Sequence, residues 1–445
     1  MTGSAAPFVA GRPVRELLTE LYTVATSAVN PGPAVAQRLA PLDRSPRRRW
    51  ILALGKAAIP MARAAVETLA SWGQEPVGGV IVGPAAEAAP HGCLPVVPGD
   101  HPEPGPGSLA AAEALGEAAR RIGAEDEVWV LLSGGASSLL AAPVPGLTPA
   151  ELTALYRLLL GSGLDITAMN RIRKRFSRWG GGRLAAALAP ALVRVFVVSD
   201  VIGDDLASIA SGPCVPDPST AADVRRLLAD AGLWDRIPDA ARRLVLATAS
   251  GETAETPKPG DRAFARVTLE LIASNRLALE AAARRAAELG LATEVAETPL
   301  AGEAWATGAS VAAMLVQHCG RGDIPQPAAP SRCFIWGGET TVTLGDAPPG
   351  LGGRCQELAL AAARVLDGIP GVTLLAAGTD GRDGPTDAAG AIVDGRTWRA
   401  AAAAGRDPAR DLAAHDAYRS LDAAGALLKV GLTGTNVMDV VIGVG

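Results

Sequence analysis

From Arg194 to Thr220 the chain reads RVFVVSDVIGDDLASIASGPCVPDPST, an apolar run that stops at an acid and never recovers strand character. Val195 to Val198 are β-branched or aromatic and predict a short buried strand, bounded on the far side by Gly203. Ser199, Asp200, Asp204 and Asp205 then fall just past the carboxyl end of that strand, where open α/β sheets place their ligands. Three acids so close together repel one another unless a cation, a ligand amine or water separates them. Pro213, Pro216 and Pro218 stiffen the remainder, and Pro218-Ser219-Thr220 leads into an apolar-periodic stretch as an N-cap signal does. The bland alternative is a solvated turn between a strand and a helix.

Helical spacing of Leu17, Leu18, Leu21 and Val24 predicts a first helix over Val14 to Val29, ended by Asn30-Pro31-Gly32-Pro33. WILALGKAAIPMARAAVETLA then gives an apolar strand, a Gly-Lys turn and an alanine-rich helix. Lys56 sits where strand hands over to helix, beside free N–H groups that favour anions. No G-x-x-x-x-G-K precedes it, so this is not a P-loop. It reads either as an exposed helix-start lysine or as an anion ligand. Of 41 Lys plus Arg, lysine occurs only at Lys56, Lys174, Lys258 and Lys429, so a lysine that persists can be one that arginine cannot replace.

Val77 to Val82 predict the next strand, followed by LPVVPGDHPEPGPGSLAAAEAL. Gly105-x-Gly107-x-x-Ala110 fails as a dinucleotide fingerprint, because prolines at 102, 104 and 106 replace the tight turn and no apolar strand abuts the first glycine. Ser108 reads as the N-cap of the helix that follows. His101 is a ligand or base, or simply a turn residue. Val128 to Leu132 run straight into SGGASSLL, where Ser133, Gly134, Gly135, Ser137 and Ser138 offer hydroxyls and a glycine bend ahead of a helix, a nest suited to phosphate or carboxylate. Arg171, Arg173, Lys174, Arg175, Arg178 and Arg183 crowd the next segment. They read as a solvated basic face or as an anion clamp, and the glycines before Arg183 let backbone approach a ligand.

Ser250 to Gly260 reads as a linker, after which VTLELIASNRLALEAAARRAAELG begins a second α/β unit with strand, Ser274-Asn275 turn and helix. LATEV is a further strand, Gly302-Glu303 opens another helix, and FIWGGETTVTL is strand-like. In GLGGRCQELALAAARVL, Arg354 lies behind a glycine turn at a helix entrance with Gln356 and Glu357 beside it. The strand Val372 to Ala377 empties into GTDGRDGPTDAAGAIVD, placing Asp380, Asp383 and Asp387 at its carboxyl end with spacing wrong for an EF-hand. Thr433 to Asn436 form one more polar loop before a last strand.

At 445 residues the chain has room for two or three domains. A net charge of −5, with no basic tract interleaved with aromatics, argues against nucleic acid. No run of 18 apolar residues escapes Gly or Pro, and the N-terminus lacks a signal-peptide pattern. Five cysteines with no C-x-x-C pair suit reduced thiols, so a cytoplasmic protein is expected. No G-x-S-x-G, H-E-x-x-H or Cys/His zinc spacing occurs.

Taken together, LGKAA, GDHPEPGPGS, SGGASSLL, NRIRKRFS with GGRLA, SDVIGDD with IASGPCVPDPST, ASN, GGETTVT, GGRCQELAL, GTDGRDGPTDAAGA and TGTNVMD resemble the class II glycerate kinases, the glycerate 2-kinase family with the C-terminal MOFRL domain. Some members of that family carry the label hydroxypyruvate reductase. The resemblance runs from about residue 14 to the C-terminus. It implies an α/β fold of two domains, each a sheet flanked by helices, with the active site in the cleft between them: a Rossmann-like domain over 12–252, and a second over 263–445 that includes the MOFRL segment from about 330. The implied reaction is transfer of the ATP γ-phosphoryl group to the 2-hydroxyl of D-glycerate with Mg²⁺, by a monomer or homodimer.

Carried over residue by residue, the resemblance makes Lys56, Asp200 and Arg354 catalytic. Ser133, Gly134, Gly135, Ser137, Asn275, Gly338, Glu339, Asp380 and Asn436 are implied for the nucleotide, and Asp204 and Asp383 for the metal. The chain departs from the family pattern at Ala136, Arg175, Gly180, Cys355, Leu432 and Met438, none of which removes a catalytic residue. A hydroxypyruvate reductase, which would need a nicotinamide site, and a non-catalytic glycerate-binding relative are the alternatives.

Overall fold

Helix α1 (Val14–Ala28) buries Leu17, Leu18, Leu21, Tyr22 and Ala25, a stripe at helical spacing. That stripe does not face the strands that follow it in sequence. It packs on a helix at Asn275–Glu288, with Glu20 paired to Arg285 and the Tyr22 hydroxyl donating to Gly378 O at 2.7 Å. In this computed structural model, which describes residues 8–9, 12–101, 103–319, 331–345 and 348–445, the chain therefore divides into Pro31–Ile272 and a unit made of Met1–Asn30 with Ala273–Gly445. This differs from the expected division at 252/263 with α1 in the first domain. Long-range apolar burial, which the local pattern of α1 does not encode, decides where the helix goes.

In the unit Pro31–Ile272 the strands are β1 (Arg49–Leu54), β2 (Gly78–Gly83), β3 (Val96–Pro98), β4 (Glu127–Leu132), β5 (Leu192–Val198) and β6 (Val267–Ala273). They lie in the order β3-β2-β1-β4-β5-β6, and the first five are mutually parallel. This is the order of doubly wound dinucleotide-binding sheets, in which the crevice between the first and fourth strands is the place for a ligand. The two central strands are covered on both faces: every residue of β1 and β4 is buried, and after Arg49 and Glu127 at their starts both are apolar throughout. Helices α2 (Ala58–Ser71), α3 (Pro106–Arg121), α4 (Ile166–Phe176) and α5 (Ala221–Asp230) follow strands or loops of this unit. Trp50, Leu52, Leu54, Val130, Leu132 and Val195 form its core, each fully buried large side chain contributing about 1.5–3 kcal/mol. Register sets Leu54 beside Leu132 and Leu132 beside Val197, so three strands end level.

Several local expectations change here. The run VTLELIA is the last strand of this sheet, not the first of the next. The segment 250–260 is docked: Glu255 pairs with Arg175, Thr256 donates to Asp217, and the Lys258 ammonium donates to Asp217 O at 3.1 Å. Ser108 lies inside α3, which starts at Pro106; its hydroxyl accepts from Asp100 N and Gly105 N. Three of the arginines after Asn170 are committed internally, Arg175 to Glu255, Arg178 to Glu113 and Arg183 to the carbonyls of Lys174 and Ser177. Gly182 approaches chain backbone, its N–H donating to Gly212 O.

The other unit holds β7 (Ala292–Val295), β8 (Arg332–Gly338), β9 (Thr373–Gly378), β10 (Gly390–Asp394), β11 (Leu427–Leu428) and β12 (Asp439–Val444). The order is β11-β10-β9-β12-β8-β7, with β7 and β8 parallel and the remaining pairs antiparallel. Helices α6 (Asn275–Glu288), α7 (Ala304–Cys319) and α8 (Arg354–Leu366) accompany it. Gly308 lets α7 meet α8 closely, since a Cβ there would fall 2.1 Å from Leu358 O. The strand-like run FIWGGETTVTL stops at Gly338, whose φ of +135° turns the backbone out of the sheet.

Candidate active site

Three loops leave the level ends of β1, β4 and β5. Backbone bonds tie the first two: Ser133 N–H donates to Leu54 O at 2.9 Å, Lys56 N–H to Gly134 O at 2.9 Å, and Ala57 N–H to Ser133 Oγ at 3.0 Å. The side chains then gather around two glycines. A Cβ on Gly134 would fall 1.8 Å from Asp200 Oδ2; one on Gly135, whose φ is +82°, would lie 3.1 Å from Lys56 Cε and 3.2 Å from His101 Cδ2. Only glycines leave room for this trio, and the phosphate nest read from SGGAS is also the floor on which a carboxylate, an ammonium and an imidazole meet.

Burial pushes the Asp200 carboxyl above its ordinary range, with Lys56 and His101 pulling the other way. Burial, and after it the Lys56 charge, holds His101 below its ordinary value, while Asp200 opposes. His101 is therefore neutral at pH 7, and Asp200 is a stronger base than an exposed aspartate. His101 was open as a turn residue in the sequence. Its signal was its place in GDHPEPGPGS, which says nothing of distance to Lys56.

Ser137 shares a hydrogen bond of 3.0 Å with Ser211, which with Ala210 and Gly212 forms three consecutive left-handed residues. Asp205 accepts from Ala207 N and Ser208 Oγ, capping the following turn. Asp204, at φ +54°, has no side-chain hydrogen bond among the described residues. Among those residues no group of three or more His, Cys, Asp and Glu is arranged to hold a metal ion.

In the other unit Arg354 opens α8 and forks onto Asp439 at the start of β12: Nε to Oδ2 is 2.6 Å and Nη2 to Oδ1 is 2.9 Å. Its third nitrogen pairs with Glu339 at 2.8 Å. Burial works against the guanidinium charge, yet the bonds and charge of Asp439 hold its pKa above the ordinary value. Asp439 was missed as a site residue in the sequence, although TGTNVMD ends on it. Asp383 is buried and accepts from Cys355 N at 3.2 Å and Gln356 N at 2.7 Å, capping α8 from a neighbouring loop. Burial, with the charge of Asp439, pushes its carboxyl up to about 7.

The remaining expected residues have these places. The Asn275 amide donates to Val437 O at 2.8 Å and Asp439 O at 2.9 Å, bracing the turn that leads into β12. Gly338 passes against Leu300 backbone, where a Cβ would fall 2.3 Å from Leu300 O. Asp380 accepts from Arg382 N at 3.0 Å, and Asn436 from Met438 N at 3.3 Å. Glu339 and Arg354 both line a cavity described below.

Known proteins match over nearly the whole chain. The description "Domain of unknown function (DUF4147)" fits residues 17–246 and "MOFRL family" fits residues 332–439. The D-glycerate 2-kinase of Thermotoga maritima is 38% identical over 97% of this chain and 98% of its own. A crystal structure of glycerate kinase from that organism superposes with a TM-score of 0.85, covering 97% of this chain and 99% of its own at 38% identity. A relative from Agrobacterium vitis, 37% identical over 96% of this chain and 93% of its own, bears a provisional hydroxypyruvate reductase name. With a relative this similar along nearly its whole length, the chain belongs to the glycerate 2-kinase family with a MOFRL domain.

Proposed function

We propose that this protein transfers the γ-phosphoryl group of ATP to the 2-hydroxyl of D-glycerate, giving 2-phosphoglycerate and ADP. The observation that carries the reading is the Asp200 carboxylate held against Gly134, with the Lys56 side chain against the adjacent glycine. A phosphoryl transfer needs positioning and charge neutralisation more than covalent chemistry. Asp200 accepts the hydroxyl proton as the glycerate oxygen forms its bond to the γ-phosphorus and the bond to the ADP oxygen breaks. Lys56 places a compact positive charge on oxygens that become more negative during transfer. Arg354, oriented by Asp439, holds the glycerate carboxylate or the developing charge.

Asp204 fits a magnesium ion, because its carboxylate is uncommitted and Mg²⁺ needs only one or two protein carboxylates beside phosphate oxygens. Asp383 fits less well, both its oxygens being engaged by the amides of α8. The ion would supply charge neutralisation on the phosphates. A cytoplasmic location accords with five free cysteines, and the oligomeric state we propose is a monomer or homodimer; among the described residues no helix is long and apolar enough to cross a membrane.

The reductase reading is favoured by the Agrobacterium name and by the strand order of the first sheet. Against it, β1 leads into Gly55-Lys56-Ala57-Ala58, where the fingerprint glycines of a dinucleotide site belong, and Gly105 serves as the N-cap of α3. ADP release with D-glycerate, ATP and Mg²⁺, run beside NADH oxidation with hydroxypyruvate, separates the two. The kinase reading expects turnover in the first assay only, lost with chelator and restored by Mg²⁺; turnover only in the second would overturn it.

A further inference from the structure

The unit that carries Arg354 contains a cavity of about 600 Å³, walled by Val342, Leu344, Pro349 and Pro385 and also lined by Arg354 and Asp383. This volume suits a ligand of drug size and far exceeds what a three-carbon acid fills. Two further lining residues are nearly sealed, Thr340 at 3% and Glu357 at 2% exposure. Thr340 Oγ1 and Glu357 Oε1 are buried and have no hydrogen-bond partner among the described residues. Native folds rarely keep a buried polar atom unmatched, and two in the wall of one cavity ask for a common partner. The other oxygen of Glu357 is held by His415 Nδ1 at 2.8 Å, so the carboxylate is anchored with one acceptor left over. The terminal torsion of a glutamate is soft, and turning about it moves both oxygens, so presenting Oε1 to the cavity exchanges the His415 contact for the ligand.

The geometry points to this cavity as the seat of the donor nucleotide's adenine, with Glu357 Oε1 accepting from the exocyclic amine, Thr340 Oγ1 bonding a ring nitrogen, and the apolar side chains covering the ring faces. A carboxylate acceptor also discriminates: hypoxanthine and guanine present a carbonyl at the position of the adenine amine, and two acceptors face to face repel. The use of ATP as phosphoryl donor rests on the function proposed above; the fit of adenine to the cavity does not.

The test compares ATP with ITP, which differ in the group at that purine position and in the hydrogen on the ring nitrogen beside it, in the wild type, Thr340→Val and Glu357→Gln, together with calorimetric titration of ADP. Thr340→Val is expected to raise KM for ATP and weaken ADP binding by about three- to tenfold, the scale of one neutral hydrogen bond. KM for glycerate should stay unchanged and Tm should not fall, because the lost hydroxyl has no partner among the described residues. Glu357→Gln can turn its amide toward the base, so the preference for ATP over ITP should narrow by about tenfold. Unchanged ATP kinetics and unchanged ADP affinity in Thr340→Val would overturn the assignment, as would a rise in KM for glycerate in place of ATP. Should Glu357→Gln fail to fold, the valine variant and the ADP titration decide alone. ADP binding that weakens in Thr340→Val without any glycerate turnover by the wild type would uphold the cavity while removing the kinase reading.

Discussion

The Asp200 carboxylate occupies the space a side chain at Gly134 would need, with the nearest oxygen 1.8 Å from where a Cβ would be. Gly134→Ala must therefore move the proposed base or bend the loop. A displacement of about 1 Å is enough to cost on the order of a hundredfold in kcat, and overpacking costs about 1–3 kcal/mol. Stopped-time ADP assays and thermal melts check both. Wild-type kcat in Gly134→Ala would show that the position of Asp200 does not govern the reaction.

Lys56 is exposed, so its replacement tests chemistry with little structural cost. In Lys56→Arg the charge stays but a wide planar fork replaces a point charge. Folding should stay within about 1 kcal/mol of wild type, with kcat down on the order of a hundredfold. Lys429→Arg, in an exposed pair with Asp387, is the control and should leave kcat alone. Lys258 is unsuitable for this purpose, since its ammonium is fixed on Asp217 O and Thr256 Oγ1. Equal activity of the two variants would return Lys56 to the role of a surface residue.

Arg354→Lys removes the two-pronged grip on Asp439, which is 5% exposed and whose carboxyl burial pushes up while that grip pulls it down. One lost charge-assisted bond is worth about 1.5–3 kcal/mol, so this variant should lose stability as well as activity. Its contrast with Lys56→Arg is the diagnostic feature: activity without Tm in one, both together in the other. An unchanged Tm in Arg354→Lys would mean that lysine reproduces the grip.

Asp383 gives stability a pH dependence of unusual sign. Its carboxyl is pushed up to about 7 in the fold, whereas an unfolded aspartate ionises near about 3.9. The folded chain thus holds a proton that the unfolded chain has released. This contribution is fully present below the unfolded value and is lost as pH rises through the folded one. Melting temperatures across about pH 4.5 to 8 should fall more steeply in wild type than in Asp383→Asn. Parallel profiles would show that Asp383 does not titrate in that window.

The strand ends that bear the candidate site were legible because each is a local pattern, an apolar run meeting glycine or an acid. Lys56, Asp200 and the SGGAS loop could be placed at strand ends from such runs, and β1, β4 and β5 in register bring them together. What the local pattern could not carry was partnership across the chain. Leu17 and Leu21 announce a helix face but not that α6 covers it, and VTLELIA announces a strand but not its sheet. His101 and Asp439 stood in quoted motifs, yet their roles depend on neighbours far away in sequence. The arginines at 175, 178 and 183 looked like an anion clamp because composition shows charge and hides the carboxylates and carbonyls that consume it.

The central claim is that phosphate reaches the 2-hydroxyl of glycerate, and the product's phosphorus spectrum tests it most directly. With D-glycerate, ATP and Mg²⁺, proton-coupled phosphorus NMR should show a product resonance split into a doublet by the single hydrogen on C2, absent when Asp200→Asn replaces the wild type. A triplet, from the two hydrogens on C3, would place the phosphate on the other hydroxyl, and no new phosphomonoester resonance at all would contradict the kinase account.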